Sequence, residues 1–205
     1  MHKNKVKALF FILKKEEDKM PRIKFGFKNA YYSKLINTEG VISYAIPKKL
    51  AGAVSMTLSP VGEDVEFYAD DSLYFSDITN NGYDGSLELA LIPEDFAKEI
   101  LGEIEDDNKV LTENAIGVVN PFALICEFTT DDGAKKFVFY HCTASRPELS
   151  ATTKSATKEV KTETLNLKIR PDSNAVVKRS TTSATPQEVL DTWYNKVYEP
   201  TTEEE

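Results

Sequence analysis

The chain contains few of the residues on which enzymes most often depend. Its 205 residues include two histidines, His2 and His141, two cysteines and one tryptophan. General acid–base and nucleophilic catalysis usually need a histidine or thiol held beside a second reactive group. His141 and Cys142 are neighbours on a predicted strand, so their side chains point to opposite faces and form no simple dyad. We therefore expect no catalytic residues and no enzymatic activity.

Motifs for metal and cofactor binding are also missing. The chain has no glycine-rich phosphate loop, no Gly-x-Ser-x-Gly elbow, no Cys-x-x-Cys pair and no His-Glu-x-x-His helix. Three aspartate pairs could suggest a metal site: Asp70-Asp71, Asp106-Asp107 and Asp131-Asp132. Each pair lies at a predicted turn, where Asp is favoured because its carboxylate bonds the local backbone. None has the ligand spacing of a calcium loop, so we predict turns, no metal and no cofactor.

Long apolar runs are absent from the N-terminal region. The run Ala8–Leu13 has six residues, whereas a bilayer span needs ~20 and a signal peptide ~7–15. Charged residues, Lys14–Lys19, follow it instead of a cleavage site. We expect residues 1–19 to be a non-native or disordered extension, with Met20 as the true start, no export signal and no membrane association. The acidic tail 201–205 is predicted to be disordered.

The charge distribution argues against tight nucleic-acid binding. The net charge is −8, with +3 in residues 1–20 and −11 in the remainder. A protein that grips duplex nucleic acid needs clustered Lys and Arg to neutralise phosphates. We therefore expect no specific nucleic-acid site in this acidic body.

What the sequence does contain is the alternation typical of antiparallel strands. In Lys161–Arg170, Leu165, Leu167 and Ile169 share one face and polar residues the other. Phe137–Cys142 is apolar on both faces, so that strand is central or meets another subunit. The predicted strands are Ile23–Phe27, Ala30–Ile36, Val41–Ile46, Gly52–Leu58, Val65–Ala69, Ser72–Ile78, Ser86–Ile92, Lys109–Leu111, Phe122–Phe128, Lys135–Thr143, Val160–Arg170 and Ala175–Lys178.

Two helices are predicted beside the strands. The first, about 93–101, has Pro93 at its start, Gly102 at its end and an apolar stripe of Phe96, Ile100 and Leu101. The second, about 186–198, opens on a capping box at Thr185–Glu188. Its buried stripe is predicted to comprise Val189, Leu190, Trp193 and Val197. We predict a mainly β fold, an antiparallel sandwich or barrel with flanking helices, as one domain over 20–200.

The cysteines are predicted to be reduced. A two-residue turn at Asp132-Gly133 would place Cys126 opposite Phe139 and Cys142 opposite Ala123. The two thiols would then face opposite sides of the sheet. The Ser- and Thr-rich stretches Ser145–Lys158 and Arg179–Thr185 are predicted to be linkers or contacts with a partner, and the sequence leaves both open.

One block of sequence carries a specific resemblance. Tyr68–Phe75 is followed by the turn Asn80–Tyr83, the strand Leu87–Pro93 and a helix ending in Leu101-Gly102. In this order they resemble the major tail proteins, the tail-tube subunits of long, non-contractile-tailed phages and prophages of Gram-positive bacteria (the phi-thirteen type). Further matching segments are Cys142–Pro147, Lys161–Leu167 and Trp193–Pro200. The likeness covers roughly Met20 to Pro200.

The resemblance implies a structural virion protein. Such subunits self-assemble into hexameric rings that stack as the tail tube, with inner strands joined into a β-barrel lumen. The implied partners are other copies of the chain, the tape-measure protein and the tail terminator and distal tail proteins. DNA would pass through the lumen during ejection without specific binding, and an acidic lumen would repel phosphate. The implied location is the virion tail, after synthesis in the host bacterial cytoplasm. We expect Leu50–Ile92 to supply hairpins to the inner barrel.

A different class of protein is the alternative. A β-sandwich adhesion or carbohydrate-binding module on a virion or cell surface would also account for the strands and aromatic residues. Such a module needs an aromatic platform beside a polar cleft, whereas Trp193 is predicted to lie on the apolar stripe of a helix. The sequence does not identify the host, the tail length or the strands that line a lumen.

Overall fold

The computed structural model describes residues 23–131, 133–149, 153 and 160–200. The predictions for residues 1–19 and 201–205, and for most of Ser145–Lys158, lie outside the described residues. The strands are β1 (Lys24–Thr38), β2 (Val41–Tyr44), β3 (Lys48–Lys49), β4 (Ala53–Pro60), β5 (Asp64–Ala69), β6 (Ser72–Ile78), β7 (Tyr83–Leu89), β8 (Ile104–Glu105), β9 (Leu111–Thr112), β10 (Phe122–Thr130), β11 (Gly133–Ala144), β12 (Glu163–Arg170) and β13 (Lys178–Ser180). Helix α1 (Glu94–Phe96) continues into a π-helical turn (Ala97–Leu101), and α2 spans Gln187–Thr192.

The main sheet has nine strands, with the path β2-β1-β10-β11-β12-β7-β4. In addition, β13 pairs with β11 and β3 with β1, while β5–β6 and β8–β9 form separate hairpins. Every pairing among the described residues is antiparallel. Because β3 leads directly into β4 and itself pairs with β1, the sheet curves back on itself. The prediction of a mainly β, antiparallel, sandwich-like fold with few short helices is confirmed.

The larger core lies inside the curved sheet. It includes Leu87 and Leu89 of β7 and the three apolar residues of β12, each of them at most 1% exposed. Phe96 and Ile100 of the helical segment close this core and are fully buried. The predicted faces of β12 are confirmed, because Leu165, Leu167 and Ile169 are buried while the residues between them are exposed.

A second core covers the other face of β10 and β11. Ala123, Ile125, Val138 and Tyr140 pack there against Trp193 and Val197, which follow α2. Both faces of β11 are therefore covered within one chain. The prediction of a central strand over Phe137–Cys142 is confirmed, because β11 lies between β10 and β12.

The boundaries of several strands differ from the predictions. Ile23–Phe27 and Ala30–Ile36 form one long strand, β1, which bends at Gly26 (φ 65°) and Asn29 (φ 53°). Irregular register with β10 accompanies both bends, as expected for β-bulges. The prediction wrongly placed a break between the two strands at Lys28-Asn29, whereas Gly26 lay inside the first predicted strand.

Other corrections arise where turns replace predicted strands. Lys109 (φ 67°) and Ala175 (φ 59°) lie in turns. The observed strands β9 and β13 therefore begin later in the chain than the predicted strands Lys109–Leu111 and Ala175–Lys178. Leu91 is 67% exposed because β7 ends at Leu89, short of the predicted end at Ile92. The short strands β3 and β8 were missed, since two residues carry no usable period.

The two helices differ in how well they match expectation. The first is confirmed: its apolar stripe is buried and Gly102 ends it at φ 79°. The second is shorter than 186–198, because α2 ends at Thr192 and turns follow. Its predicted capping box is wrong. Pro186 is the N-cap, and the Thr185 hydroxyl oxygen instead accepts a hydrogen bond from the backbone N–H of Thr182.

The cysteines are free and buried, but their predicted placement is wrong. Thr130 pairs with Gly133, so Gly133 lies in β11 and Cys126 pairs with Phe137. An irregularity between Phe122 and Leu124 then brings both thiols to the same core. Burial raises the pKa of Cys126 to about 12 and raises that of Cys142 as well.

Candidate assembly surface

A long hairpin extends from one end of the main sheet. The pair β4–β7 ends at Pro60 and Tyr83, and backbone hydrogen bonds from Val61 and Asn81 carry the ribbon onward into β5–β6. A Cβ at Gly62 would overlap the carbonyl oxygen of Thr79, so only glycine fits at this position between β4 and β5. At ~3.3 Å per residue, the ribbon reaches about 30 Å beyond the sheet.

The tip of this hairpin is the turn Asp70-Asp71. Ala69 pairs with Ser72, and both aspartates have positive φ, 51° and 56°. A two-residue turn with two positive φ angles matches the right-handed twist of its strands, and Asp tolerates this region better than most residues. The prediction that this pair forms a turn is confirmed.

The hairpin exposes apolar side chains on both faces, and the face of Phe67, called here the apolar face, carries four of them. Phe67 pairs with Phe75 on that face, and the rings of Phe67 and Tyr74 meet edge to face at 6.2 Å. The exposed fractions are 45% for Val65, 57% for Phe67, 73% for Tyr74 and 52% for Phe75. Isolated exposed apolar residues are ordinary, but a contiguous patch of this kind marks an interaction surface.

The same hairpin is strongly acidic. Between Val61 and Thr79 the sequence has six carboxylates and no Lys, Arg or His. None of these carboxylates forms an ion pair with a described cation. Their mutual repulsion is therefore uncompensated within the described chain.

A polar face covers the outside of the strands that support the hairpin. Glu88 of β7 accepts hydrogen bonds from the hydroxyls of Ser55 on β4 (2.8 Å) and Thr162 beside β12 (2.6 Å). The hydrogen bond from Thr162 and then that from Ser55 lower the pKa of Glu88. Asp84 lies 2.7 Å from Arg170, whose hydrogen bond lowers the pKa of Asp84. This face carries hydroxyls, carboxylates and, near Asp84, the two cations Lys168 and Arg170; its other outward residues are Ser55, Thr57, Ser59, Ser86, Glu88, Thr164 and Asn166.

The sheet also has an open edge beside the hairpin. Strand β4 pairs with β7 on one side, and among the described residues no strand is hydrogen-bonded to its other side. Open edges offer unpaired N–H and C=O groups to another chain. The edge of β4, the hairpin and the part of the polar face that lies on β4 and β7 are therefore contiguous in Leu50–Ile92.

The residues considered for catalysis or metal binding are not brought together. His141 is half-buried, and its Nδ1 atom has no hydrogen-bond partner in the described chain. Asp106 accepts bonds from the backbone N–H groups of Asn108 and Val110, which is the turn role predicted for it. Among the described residues, no three His, Cys, Asp or Glu side chains cluster in a way that could hold a metal ion.

No helix in the described part of the chain is both long and apolar enough to cross a bilayer.

Comparison with protein-family models gives no match, and comparison with curated protein sequences gives none.

Proposed function

We propose that the protein is the tail-tube subunit of a phage or prophage, a structural protein that assembles into hexameric rings stacked as a tube. The motifs that resemble major tail proteins support this proposal, and so does the mainly β fold. In this role the protein works in the virion tail, after synthesis in the bacterial cytoplasm. Its partners are further copies of itself, the tape-measure protein and the tail terminator and distal tail proteins.

The exposed apolar hairpin is the observation that carries the proposal. Its four large side chains are about half exposed in a single chain. Completing their burial in a neighbour would contribute ~1 kcal/mol each before the cost of association. A chain that acts alone gains nothing from a projecting apolar ribbon, while a self-assembling subunit needs one.

The polar face of β12, β7 and β4 is our candidate for the lumen. The serine and threonine side chains of this face are small. Hydrogen bonds lower the pKa values of Glu88 and Asp84 and so keep both carboxylates ionised. Glu88 has the same sign as phosphate and would repel a passing DNA chain, whereas the charge of Asp84 is offset by Arg170. The open edge of β4 would join the equivalent sheet of the next subunit.

The experiment is to remove the apolar face and measure assembly. In Phe67→Ser with Phe75→Ser, both changes fall on exposed side chains, so the monomer should keep its fold. The matched control is Ile116→Ser with Val160→Ser, which are 83% and 85% exposed and lie outside the hairpin. Sedimentation velocity should show large assemblies for the parent and control, and monomers for the hairpin variant. Unchanged assembly of the hairpin variant would contradict the proposal.

The alternative, a carbohydrate-binding or adhesion module, needs an exposed aromatic platform. Trp193 is 3% exposed and stacks on Tyr198, so it does not contribute to such a platform. A binding module would remain monodisperse in the same experiment, whatever is done to the hairpin.

A further inference from the structure

A groove lies at the turn end of β10 and β11. Its walls are the start of β1, the first residues of β11 and the loop after β13, and its volume is about 600 Å³. Ile23, Phe128, Phe137 and Leu190 give it an apolar lining. The rings of Phe128 and Phe137 meet edge to face at 5.5 Å. The volume lies within the ~300–1,000 Å³ typical of binding cavities.

The charged groups of this groove are all basic among the described residues that line it. Lys24 places its ammonium 3.6 Å from the centre of the Phe128 ring, and Lys135 places its own 5.5 Å from the centre of Phe137. Both lysines are exposed, and neither forms an ion pair with a described carboxylate. The groove is therefore apolar with two free cations at its rim.

The hairpin β5–β6 has the opposite character on the same chain. It exposes large apolar side chains, carries six carboxylates between Val61 and Thr79 and has no basic residue there. Asp77 lies on the apolar face, opposite Val65, and Glu66 lies on the other face. Complementary charge combined with apolar surface is the pattern of paired protein interfaces.

We propose that the β5–β6 hairpin of one copy docks in the β10–β11 groove of a neighbouring copy, with hairpin carboxylates facing Lys24 and Lys135. This inference rests on the proposed self-assembly and names the surface that receives the hairpin. Because hairpin and groove are different surfaces, the contact is heterologous, and repetition by rotation closes a ring.

The strand registers are compatible with this contact forming within one ring. His141 of β11 pairs with Arg170 of β12, and the neighbouring Ile169 pairs with Tyr83, where the hairpin begins. From this level, the stretch of β11 that leads back to Gly133 and the hairpin extend in the same direction. Hairpin and groove therefore project from the same end of the sheet. In a ring that holds the hairpin and the groove at equal height along its axis, the hairpin of one copy can reach the groove of its neighbour.

The test is a charge exchange between two variants. The hairpin variant is Glu66→Lys with Asp77→Lys, and the groove variant is Lys24→Glu with Lys135→Glu. Each alone brings like charges together and should weaken self-association about 10- to 100-fold by sedimentation velocity. An equal mixture restores both attractive pairings in alternating copies, so assembly should return to near the parent level.

Two controls match these changes. Asp107→Lys with Glu148→Lys reverses two exposed acidic groups outside the hairpin, and Lys49→Glu with Lys196→Glu reverses two exposed lysines outside the groove. Both should assemble like the parent. Circular dichroism melts should show that every variant is folded before assembly is compared.

The outcomes separate this inference from the proposed function. If the parent remains monomeric at all concentrations, both fail. If the parent assembles and the two variants assemble equally well, or fail without rescue on mixing, the groove assignment alone is wrong. Isolated rings without tubes in either variant would overturn the placement within one ring. If the groove instead receives the chain's own residues 1–22, deleting residues 1–19 would change assembly as strongly as the groove variant does, and this too would overturn the inference.

Discussion

Trp193 provides the most direct test of how the C-terminal segment is held. Its side chain is 3% exposed, and its ring stacks on Tyr198 with centroids 5.3 Å apart and planes 18° apart. It packs with Ile125 and Val138 on the outer face of β10 and β11. Trp193→Ala removes that packing and leaves a cavity, for which we expect a loss of ~3–5 kcal/mol in the free energy of unfolding.

The conservative variant isolates the role of packing. The Trp193 Nε1 atom is buried without a hydrogen-bond partner in the described chain, so losing the indole N–H sacrifices no such bond. Trp193→Phe keeps an aromatic ring against Tyr198 and should cost only about 1–2 kcal/mol.

Urea unfolding followed by circular dichroism is the suitable assay, because Trp193 is the only tryptophan and its loss removes the fluorescence probe. In a thermal melt followed by the same signal, the melting temperature of the alanine variant should lie ~6–20 °C below that of the parent. Melting within a degree or two of the parent would show that the segment after α2 is not docked on the sheet.

Three further predictions follow from the charges and thiols. A thiol reagent at pH 8 should leave Cys126 and Cys142 unmodified in the folded protein and label both after denaturation, because burial raises their pKa values; rapid labelling of the native chain would contradict their burial. Hydrogen bonds from Lys109 and Lys98 lower the pKa of Glu105 from 4.5 to about 2. The stability advantage of the parent over Glu105→Gln should therefore be present above pH ~4.5 and be lost as the pH falls toward 2; an advantage independent of pH in urea titrations would refute this assignment. Glu88→Lys should still form tubes but should retain DNA or eject it slowly, with strong dependence on salt; unchanged ejection would remove this face from the lumen.

The sequence predicted the parts of the fold whose signals are local. The alternation of β12 and the proline and glycine bounding the first helical segment gave the correct faces and ends. These features depend on period and turn chemistry, which a single segment carries by itself. The continuity of β1 through its bends at Gly26 and Asn29 was not predicted, because a bulge depends on pairing with β10.

The candidate assembly surface was only partly predictable. The sequence indicated strands at β5 and β6 and a turn at Asp70-Asp71, and these are confirmed. It did not show that the hairpin leaves the sheet, because exposure depends on what the rest of the chain covers. A signal was present: Phe67-Tyr68 and Leu73–Phe75 put large apolar groups on both faces of a two-stranded ribbon. The groove is assembled from β1, β11 and the loop after β13, so no single segment could reveal it.

Electron microscopy of the purified protein at high concentration tests the central claim most directly. If the hairpin and the open edge of β4 are assembly surfaces, the parent should form six-fold rings and stacked tubes with a central channel. The variant Phe67→Ser with Phe75→Ser, prepared in the same way, should form neither. A parent protein that stays as uniform monomers at every concentration tested would contradict the account.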